Sequence, residues 1–321
     1  MGRSIKESKV SLVIPLFNEE ECVRELLKEI GTVMGGIDCA GYEVVLVDDC
    51  SRDKTLKVVE ELAVDNPAIK CLCLSRNMGH QNALSCGLEV ASGDIIITLD
   101  GDLQHPPALF PEMLRLWEDG YDVVNTIRMN SSSSSFVEKT FSKWFYRIFN
   151  RVAEVNLVPG SADFRLLDRK CVDALNSMGE HFKFFRGQVS YIGFKQTELS
   201  FECPPRFAGH RSYTLRQSMR LASNGIFSFS TFGLKLPFYF GSAMVGLIIA
   251  YFLVAAILHL TGRADFAPGW LSLVALIFLS LGLQLFFLGM FGLYLGKVFM
   301  EVKARPRYFV RRFVGFDKES S

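Results

Sequence analysis

Two aspartates at the end of an apolar segment are the residues of this chain best suited to chemistry. Asp100 and Asp102 stand one residue apart after the run Asp-Ile-Ile-Ile-Thr-Leu at positions 94–99. This run predicts a buried strand, and two carboxylates at its end can converge on one point. Hard oxygen ligands in that arrangement suit Mg²⁺ or Mn²⁺ carrying a diphosphate. The motif alone leaves open a solvated Asp-Gly-Asp turn.

Carboxylates and amides follow the other predicted strands as well. Asn18 and Glu19 follow the first strand, Asp49 the second and Asn77 the third. Such groups can hydrogen-bond a base and a ribose, and carboxylates can hold the cation that neutralises a diphosphate. No glycine-rich dinucleotide signature follows the first strand, and no P-loop signature occurs. The pattern therefore favours a nucleoside-diphosphate donor with a divalent metal.

The segments that position these groups alternate between strand and helix patterns. Apolar runs predict strands at residues 10–17, 43–49, 69–74, 94–100 and 122–127. Apolar residues at helical spacing predict helices at residues 23–30, 56–62, 81–90 and 107–118. This alternation is typical of an α/β fold with a mostly parallel, Rossmann-like sheet covered by helices on both faces. Ligands of such sheets bind beyond the carboxyl ends of the strands, where the acidic and amide residues are expected.

The second half of the chain contains two long stretches without Asp, Glu, Lys or Arg. They cover residues 236–260 and 266–296 of a 321-residue chain that is 49% hydrophobic. Each exceeds the roughly 20 residues needed to cross a bilayer, which predicts a C-terminal hairpin of two transmembrane helices rather than a buried core hairpin. Basic flanks place both termini in the cytosol. The 35 basic and 34 acidic residues give no argument for a nucleic-acid partner.

These patterns divide the chain into four segments. We expect a cytosolic catalytic domain, a juxtamembrane amphipathic helix, two membrane helices and a basic cytosolic tail, at residues 1–213, 214–232, 233–298 and 299–321. Residues 136–152 mix aromatic with basic residues, which fits a helix in the membrane surface or one packed on the sheet. The charged N-terminus predicts no signal peptide. Gly241, Ser242 and Gly246 permit helix association and hence a homo-oligomer.

Three motifs give the sequence a specific resemblance. They are Val-Ile-Pro-Leu-Phe-Asn-Glu-Glu at 13–20, Val-Asp-Asp-Cys-Ser-Arg-Asp-Lys-Thr at 47–55 and Leu-Asp-Gly-Asp-Leu-Gln-His-Pro-Pro at 99–107. They resemble the signatures of family 2 glycosyltransferases with a GT-A fold. Within that family the chain is similar to the polyprenyl-phosphate branch, which includes bactoprenol glucosyltransferases and dolichyl-phosphate mannose synthases. The resemblance runs over residues 10–309, both predicted membrane helices included.

The resemblance implies roles for individual residues. A Mg²⁺ or Mn²⁺ ion would be held by Asp100 and Asp102. The nucleotide sugar would be bound by Pro15, Asn18, Glu19, Asp49, Ser51, Asn77, Asp100 and Gln104. The acceptor phosphate would be bound by Arg128, Arg206 and Ser212.

A carboxylate for the reacting centre comes from a later segment. Gly-Ser-Ala-Asp-Phe-Arg-Leu-Leu-Asp at 160–168 resembles the stretch that carries it in the family, so Asp163 joins Asp102 as a catalytic candidate. A lipid phosphate monoester has a second pKa of about 6 and is mostly ionised near neutral pH. Asp163 is therefore expected to orient the reactants or take up a residual proton. Asp168 is expected to cap a helix, and His105 and His210 to be turn or loop residues.

The activity implied by the resemblance is an inverting glycosyl transfer. The donor would be a nucleotide-diphosphate sugar, UDP-glucose first, and the acceptor polyprenyl phosphate at the cytosolic face of a bacterial inner membrane. Transfer of a modified sugar such as 4-deoxy-4-formamido-arabinose is the alternative, and a non-catalytic membrane scaffold or translocator is a second. A processive polysaccharide synthase is disfavoured because the sequence lacks a Q-x-x-R-W motif and further membrane helices.

One residue departs from the family pattern. Cys50 stands where family members usually carry glycine. Because a positive φ strains a residue with a Cβ, we expect a changed turn with unchanged chemistry. The eight cysteines contain no C-x-x-C pair and are expected to be reduced thiols.

Overall fold

The structure is a computed structural model that describes residues 2–129, 160–204, scattered positions from 237 to 261, and 269–316. The proposed phosphate ligands Arg206 and Ser212, and the predicted helices at 136–152 and 214–232, lie outside the described residues. The chain divides into two compact units. The larger unit contains residues 1–150, 155–221 and 305–321, and the smaller contains residues 151–154 and 222–304.

The larger unit is built on an eight-stranded sheet. Its strands are β1 (Lys9–Leu16), β2 (Gly41–Asp48), β3 (Ile69–Leu74), β4 (Ile95–Thr98), β5 (Val123–Arg128), β6 (Ser161–Asp168), β7 (Gln196–Phe201) and β8 (Val310–Val314). Its helices are α1 (Val23–Met34), α2 (Thr55–Asp65), α3 (His80–Val90), α4 (Phe110–Glu118), α5 (Arg169–Ser177) and α6 (Phe185–Tyr191). Short 3₁₀ turns precede β1 and α4, at Ile5–Glu7 and Pro107–Leu109.

The strand order is β7-β5-β6-β4-β1-β2-β3-β8. Strand β1 pairs in parallel with β2 and β4, β2 with β3, and β5 with β7. Strand β6 runs antiparallel to both β4 and β5, and β8 runs antiparallel to β3. The predicted α/β fold with a mostly parallel sheet is therefore confirmed.

Alternation along the strands creates two hydrophobic cores. Leu12 and Ile14 face the core formed with α1 and α4, whereas Val13 faces the core formed with α3 and α5. All three side chains are fully buried. Because successive side chains of a strand point to opposite faces, the continuous apolar run of β1 requires a helical layer on each side.

The five predicted strands, β1 to β5, exist within a few residues of their observed bounds. Strands β6, β7 and β8 were not predicted. Strand β6 carries charged residues inside an apolar pattern, and its neighbours β4 and β5 lie far away in sequence. Strand β8 lies in the basic tail, where it covers the β3 edge of the sheet. Asp168 does cap a helix as expected, because its side chain accepts a hydrogen bond from the Lys170 amide at the start of α5.

The smaller unit contains a long apolar helix, α7 (Trp270–Val302). Its segment Leu279–Val302 is long and apolar enough to cross a membrane, and none of that segment is buried in the structure. It overlaps the second predicted membrane helix. Of the first predicted span only scattered residues are described, so one such helix is found in the described part of the chain.

The turn after β2 contradicts the expectation for Cys50. Its φ is 63°, so the left-handed conformation that glycine favours is kept despite the Cβ. The neighbouring backbone holds it there, because Asp48 Oδ1 accepts the Ser51 amide at 3.1 Å and Asp49 binds two further amides. The turn is unchanged, and the strain is carried by the cysteine.

Replacing Cys50 with glycine should therefore stabilise the protein. A left-handed non-glycine residue costs about 1–2 kcal/mol, and the freer unfolded chain of a glycine variant offsets part of it. We expect Cys50→Gly to raise the free energy of unfolding by about 0.5–1 kcal/mol, measured as the thermal midpoint of the purified full chain. Cys50→Ala retains the Cβ and serves as the control. An equal gain in both variants would assign the effect to loss of the thiol.

A buried carboxylate joins three strands at the opposite edge of the sheet. Glu43 at the start of β2 accepts hydrogen bonds from Ser11 Oγ at 2.7 Å and from the Ser92 amide at 2.7 Å. Its second oxygen pairs with Lys70 Nζ at 2.8 Å and Lys9 Nζ at 3.1 Å. Burial acts to raise the pKa of Glu43, but these bonds outweigh it and lower the pKa to about 2.

Glu43 should make stability depend on acid pH. A carboxyl group whose pKa is lowered by folding contributes stability that is lost as pH falls from about 4.5 towards about 2. We expect Glu43→Gln to cost about 2 kcal/mol at neutral pH and to flatten the fall in thermal midpoint across that acid range. Glu25→Gln, which breaks an exposed pair with Lys28, should cost well under 1 kcal/mol. Similar losses in the two variants would contradict this role.

Candidate active site

Sheet topology brings the candidate residues to one edge. Strands β3, β2, β1 and β4 are parallel neighbours, so the loops that follow them share the carboxyl edge. Strand β6 enters from the same edge because it is antiparallel to β4, with Thr98 opposite Arg165. The start of β6, which carries Asp163, therefore lies beside the end of β4, which leads into Asp100.

The loops after β1 and β2 are bonded directly to one another. The Asn18 amide donates to Ser51 Oγ at 3.0 Å, and Asn18 Oδ1 accepts the Arg52 amide at 2.8 Å. The Glu19 amide donates to Thr55 Oγ1 at 2.8 Å. Asn18 adopts a left-handed φ of 57°, which asparagine tolerates better than most residues. The structure thus brings together Asn18, Glu19 and Ser51, next to the buried Pro15 of β1.

Asp49 connects this pair of loops to the loop after β3. Its carboxylate accepts the Met78 amide at 2.6 Å and the Gly79 amide at 2.9 Å, and its side chain is buried. Burial raises the pKa of Asp49 in spite of the two amides. Gly79 has a φ of 87°, which places its amide towards Asp49 at little steric cost. The exposed Asn77 is thereby held next to the other residues predicted to bind the nucleotide sugar.

Asp100 is paired with a histidine that sequence reasoning missed. His80 Nε2 lies 2.8 Å from Asp100 Oδ1. Burial lowers the pKa of His80, but Asp100 outweighs it and raises the pKa to about 9. Burial acts to raise the pKa of Asp100, and the surrounding positive charges hold it well below its usual range. His80 begins α3 directly after Gly79, so its place at the same edge of the sheet was the available signal.

His105 lies in the loop after β4, as expected, and its side chain is fully buried behind Asp100. Its Nδ1 lies 2.9 Å from the Asp100 amide, its Nε2 lies 2.9 Å from Arg128 Nη2, and its ring stacks on Phe164 at 5.1 Å. Burial lowers the pKa of His105, which favours the neutral ring. A neutral imidazole has one acceptor nitrogen, so the amide and the guanidinium compete for it. Within the described residues, the buried Nε of Arg128 has no hydrogen-bond partner.

Asp163 is surrounded by cationic and amide donors. Arg186 lies against both oxygens, with Nε 3.1 Å from Oδ1 and Nη2 3.3 Å from Oδ2. The buried Arg165 lies 3.4 Å from Oδ1, and Gln81 Nε2 lies 3.5 Å from Oδ2. Burial acts to raise the pKa of Asp163, but Arg186 and Arg165 outweigh it and lower the pKa to about 2. Arg165, Arg186 and Gln81 were not predicted as site residues.

The loop after β4 is tightly folded around the second aspartate. Asp102 Oδ1 accepts the Gln104 amide at 3.2 Å, and Leu103 between them has a left-handed φ of 59°. A Cβ at Gly101 would come within 2.6 Å of Leu16 Cδ2, so any other residue there would require the buried Leu16 side chain to shift. The loop presents Asp100, Asp102 and Gln104 close to the end of β1.

The donor atoms in this loop fit a divalent cation shared with a diphosphate. Mg²⁺ sites commonly use one or two carboxylates and leave the remaining positions to phosphate oxygens and water. Asp100 and Asp102 supply two carboxylates. Among the described residues no group of three or more His, Cys, Asp or Glu side chains forms a site that could hold a metal by itself. Phosphate oxygens and water would have to supply the remaining positions of a metal held by Asp100 and Asp102.

The chain is similar to known glycosyltransferases. Residues 11–175 match the family described as glycosyl transferase family 2. An uncharacterised glycosyltransferase of Synechocystis sp. is 38% identical over 310 residues, covering 96% of each chain. The bactoprenol glucosyl transferase of Shigella phage SfII is 33% identical over 308 residues, covering 95% of this chain and 98% of that protein. A prophage bactoprenol glucosyl transferase homologue of Escherichia coli is 33% identical over 306 residues, covering 95% and 99%.

The similarity to solved structures is lower. Mannosyl-3-phosphoglycerate synthase from Rubrobacter xylanophilus aligns with a TM-score of 0.46 at 18% identity, over 82% of this chain and 78% of that one. The family match covers more than half of the chain, and the relatives match nearly all of it. The chain therefore belongs to glycosyl transferase family 2 and is a glycosyltransferase.

Proposed function

We propose that this protein transfers glucose from UDP-glucose to polyprenyl phosphate, undecaprenyl phosphate in a bacterium, with inversion at the anomeric carbon. The observation that carries the proposal is the ion-paired Asp163 carboxylate beside Asp100 and Asp102. The relatives named bactoprenol glucosyl transferase support glucose as the sugar and a polyprenyl phosphate as the acceptor. The apolar helix α7 supports an acceptor that arrives from a membrane.

The surroundings of Asp163 favour an acceptor that is already ionised. A general base works best when its pKa lies near the working pH, and Asp163 has a pKa of about 2. It is poorly suited to deprotonate a sugar hydroxyl. A phosphate monoester has a second pKa of about 6 and needs little deprotonation. We therefore assign Asp163 an orienting and electrostatic role while a phosphate oxygen attacks the anomeric carbon.

The donor would lie along the carboxyl edge of β1 to β4. Asn18, Glu19 and Ser51 form one side of this site and Asn77 another, with Asp49 holding the two loops together. Carboxylates and amides in these loops suit the hydroxyl and amide groups of uridine. Pro15 and Gln104 complete the proposed donor set.

Asp100 and Asp102 would hold Mg²⁺ or Mn²⁺ at the diphosphate. When bound, such an ion neutralises the charge of the leaving nucleoside diphosphate. Asp100 is already ionised in the described site, since its pKa lies well below the usual range. Asp100 is therefore in its metal-binding form at neutral pH.

Arg128 would receive the acceptor phosphate together with Arg206 and Ser212. Among the described residues its guanidinium contacts one histidine nitrogen, and its buried Nε has no partner there. A planar guanidinium pairs well with phosphate oxygens, which makes this unsatisfied donor a suitable ligand for them. Two anionic substrates can meet only if such cations offset their charge.

For the membrane arrangement we propose a two-helix anchor with the catalytic domain and both termini in the cytosol. The uncharged stretches at 236–260 and 266–296 and their basic flanks support it. In a bacterium the reaction would then take place at the inner face of the plasma membrane. Small residues in the first span leave room for a homo-oligomer.

Loss of the second metal ligand should abolish product formation. We expect Asp102→Asn to lower kcat/KM by about 100-fold or more, because the leaving diphosphate loses its compensating charge. The assay uses the full chain in detergent with UDP-glucose, undecaprenyl phosphate and Mn²⁺, and detects the glycolipid by mass spectrometry. Asp38→Asn changes an exposed aspartate and should leave the rate unchanged.

The same assay separates the alternatives. Chelation of the metal should stop the wild-type reaction, and Mg²⁺ or Mn²⁺ should restore it. Product from a UDP-linked modified arabinose but none from UDP-glucose would replace the proposed sugar. Equal inactivity of the wild type and Asp102→Asn with every donor would favour a scaffold or translocator over an enzyme.

The pH dependence should follow the acceptor rather than Asp163. Asp163 stays ionised far below neutral pH, whereas the lipid phosphate gains a proton near pH 6. We expect kcat/KM to fall about tenfold per pH unit below pH 6. Asp163→Asn should lower kcat but keep this fall in kcat/KM, the acid limb of the pH profile. Disappearance of the limb in Asp163→Asn would identify Asp163 as the base instead.

A further inference from the structure

Arg186 makes the closest cationic contact with Asp163, and nothing so far assigns it a role. It lies in the first turn of α6 and approaches the carboxylate side-on, through Nε at 3.1 Å and Nη2 at 3.3 Å. About a third of its side chain is exposed, against 14% of the Asp163 side chain. Arg186 is therefore the more exposed partner of a mostly buried carboxylate.

Gln81 attaches the same helix to the same carboxylate. Its Nε2 lies 3.5 Å from Asp163 Oδ2, and its Oε1 accepts the Phe185 amide at 3.1 Å. The preceding residue, His80, binds Asp100. Two consecutive residues of α3 thus contact the two carboxylates, and α6 is fixed to α3 at the point where Arg186 projects.

The backbone of Asp163 is held independently of these contacts. Thr98 Oγ1 donates to the Asp163 carbonyl at 2.7 Å, and Thr126 Oγ1 donates to the Phe164 carbonyl at 2.7 Å. These bonds position the main chain of β6 but leave the side chain of Asp163 free to rotate. Rotation of that side chain is limited instead by the paired contacts of Arg186, by Gln81, and by the buried Arg165 at 3.4 Å from Oδ1.

We propose that Arg186 is a positioning residue for glycosyl transfer, which together with Gln81 holds the Asp163 carboxylate in one orientation as a fixed anion. The inference rests on the proposed function. A carboxylate held in place can stabilise positive charge developing at the anomeric carbon without reorganising in the transition state. The planar fork of arginine sets the angle of the carboxylate as well as its position, which a lysine ammonium does not.

The first test compares the kinetics of two substitutions. We expect Arg186→Ala to lower kcat by about 100-fold while KM for UDP-glucose and for undecaprenyl phosphate stays near wild type. Arg186→Lys keeps the charge without the paired geometry and should recover only a small part of the rate. Arg24→Ala removes an arginine of α1 that pairs with Glu61 on the surface, and it should behave as wild type.

The second test is chemical rescue, which a purely structural role would not allow. Millimolar guanidinium chloride should raise the rate of Arg186→Ala by about tenfold, because the ion can occupy the vacated fork beside Asp163. Methylammonium chloride at the same concentration should have much less effect. Neither salt should accelerate wild type or Arg24→Ala. An Arg186→Ala variant that neither salt rescues would overturn the proposal.

A third measurement is independent of the reaction. If Arg186 contacts Asp163 as described, the thermal midpoints of Arg186→Ala, Asp163→Asn and the double variant should be non-additive. Additive shifts would overturn the contact itself.

A raised KM for undecaprenyl phosphate with unchanged kcat would also overturn the proposal, since Arg186 would then bind the acceptor. Inactivity of the wild type with polyprenyl phosphates would instead count against the proposed function and leave the stability cycle interpretable.

Discussion

The antiparallel pairing of β6 with β4 decides which acidic residues meet at the site. A parallel strand delivers its last residues to the carboxyl edge, and only a strand of opposite direction delivers its first ones there. Strand β6 lies between β4 and β5, with Arg165 opposite both Thr98 and Asn125. A register shift in β5 between Asn125 and Ile127 is spanned by the Thr126 hydroxyl, which bonds to β6. Asp163 therefore lies at the carboxyl edge of the sheet because β6, the strand that carries it, runs opposite to β4.

Charges brought together in this way must compensate one another. Burying an unpaired carboxylate or guanidinium costs several kcal/mol, and the site satisfies this constraint by alternating signs. Asp100 faces His80, and Asp163 faces Arg186 and Arg165. Among the described residues Arg128 meets this constraint less completely, because its partner His105 has a single acceptor nitrogen that the Asp100 amide also approaches, and its Nε has no hydrogen-bond partner there. The charge of Arg128 also acts on Asp100, whose pKa it helps to lower.

The sequence allowed prediction of those site residues that follow local patterns. Asp49 and Asp100 end apolar runs, and the direction of parallel strands is enough to place them at one edge. The role of Arg186 could not be predicted in this way. Its partner Asp163 is 23 residues distant in sequence, and their contact depends on how α6 packs against α3. Strand β8 was missed for a related reason. Its pattern Val-Arg-Arg-Phe-Val has no clear alternation, and it becomes a strand because the β3 edge supplies hydrogen bonds.

The two edges of the sheet divide stability and chemistry between them. At the amino edge, Glu43 receives a full set of donors, and every partner lowers its free energy in the folded state. At the carboxyl edge, Asn18, Cys50 and Leu103 all adopt left-handed φ angles that cost energy in residues with a Cβ. Such strain persists only where the surrounding structure fixes it. The surrounding structure holds these turns in place, and the long apolar runs of β1 and β2, anchored at Glu43, stabilise the sheet that carries them.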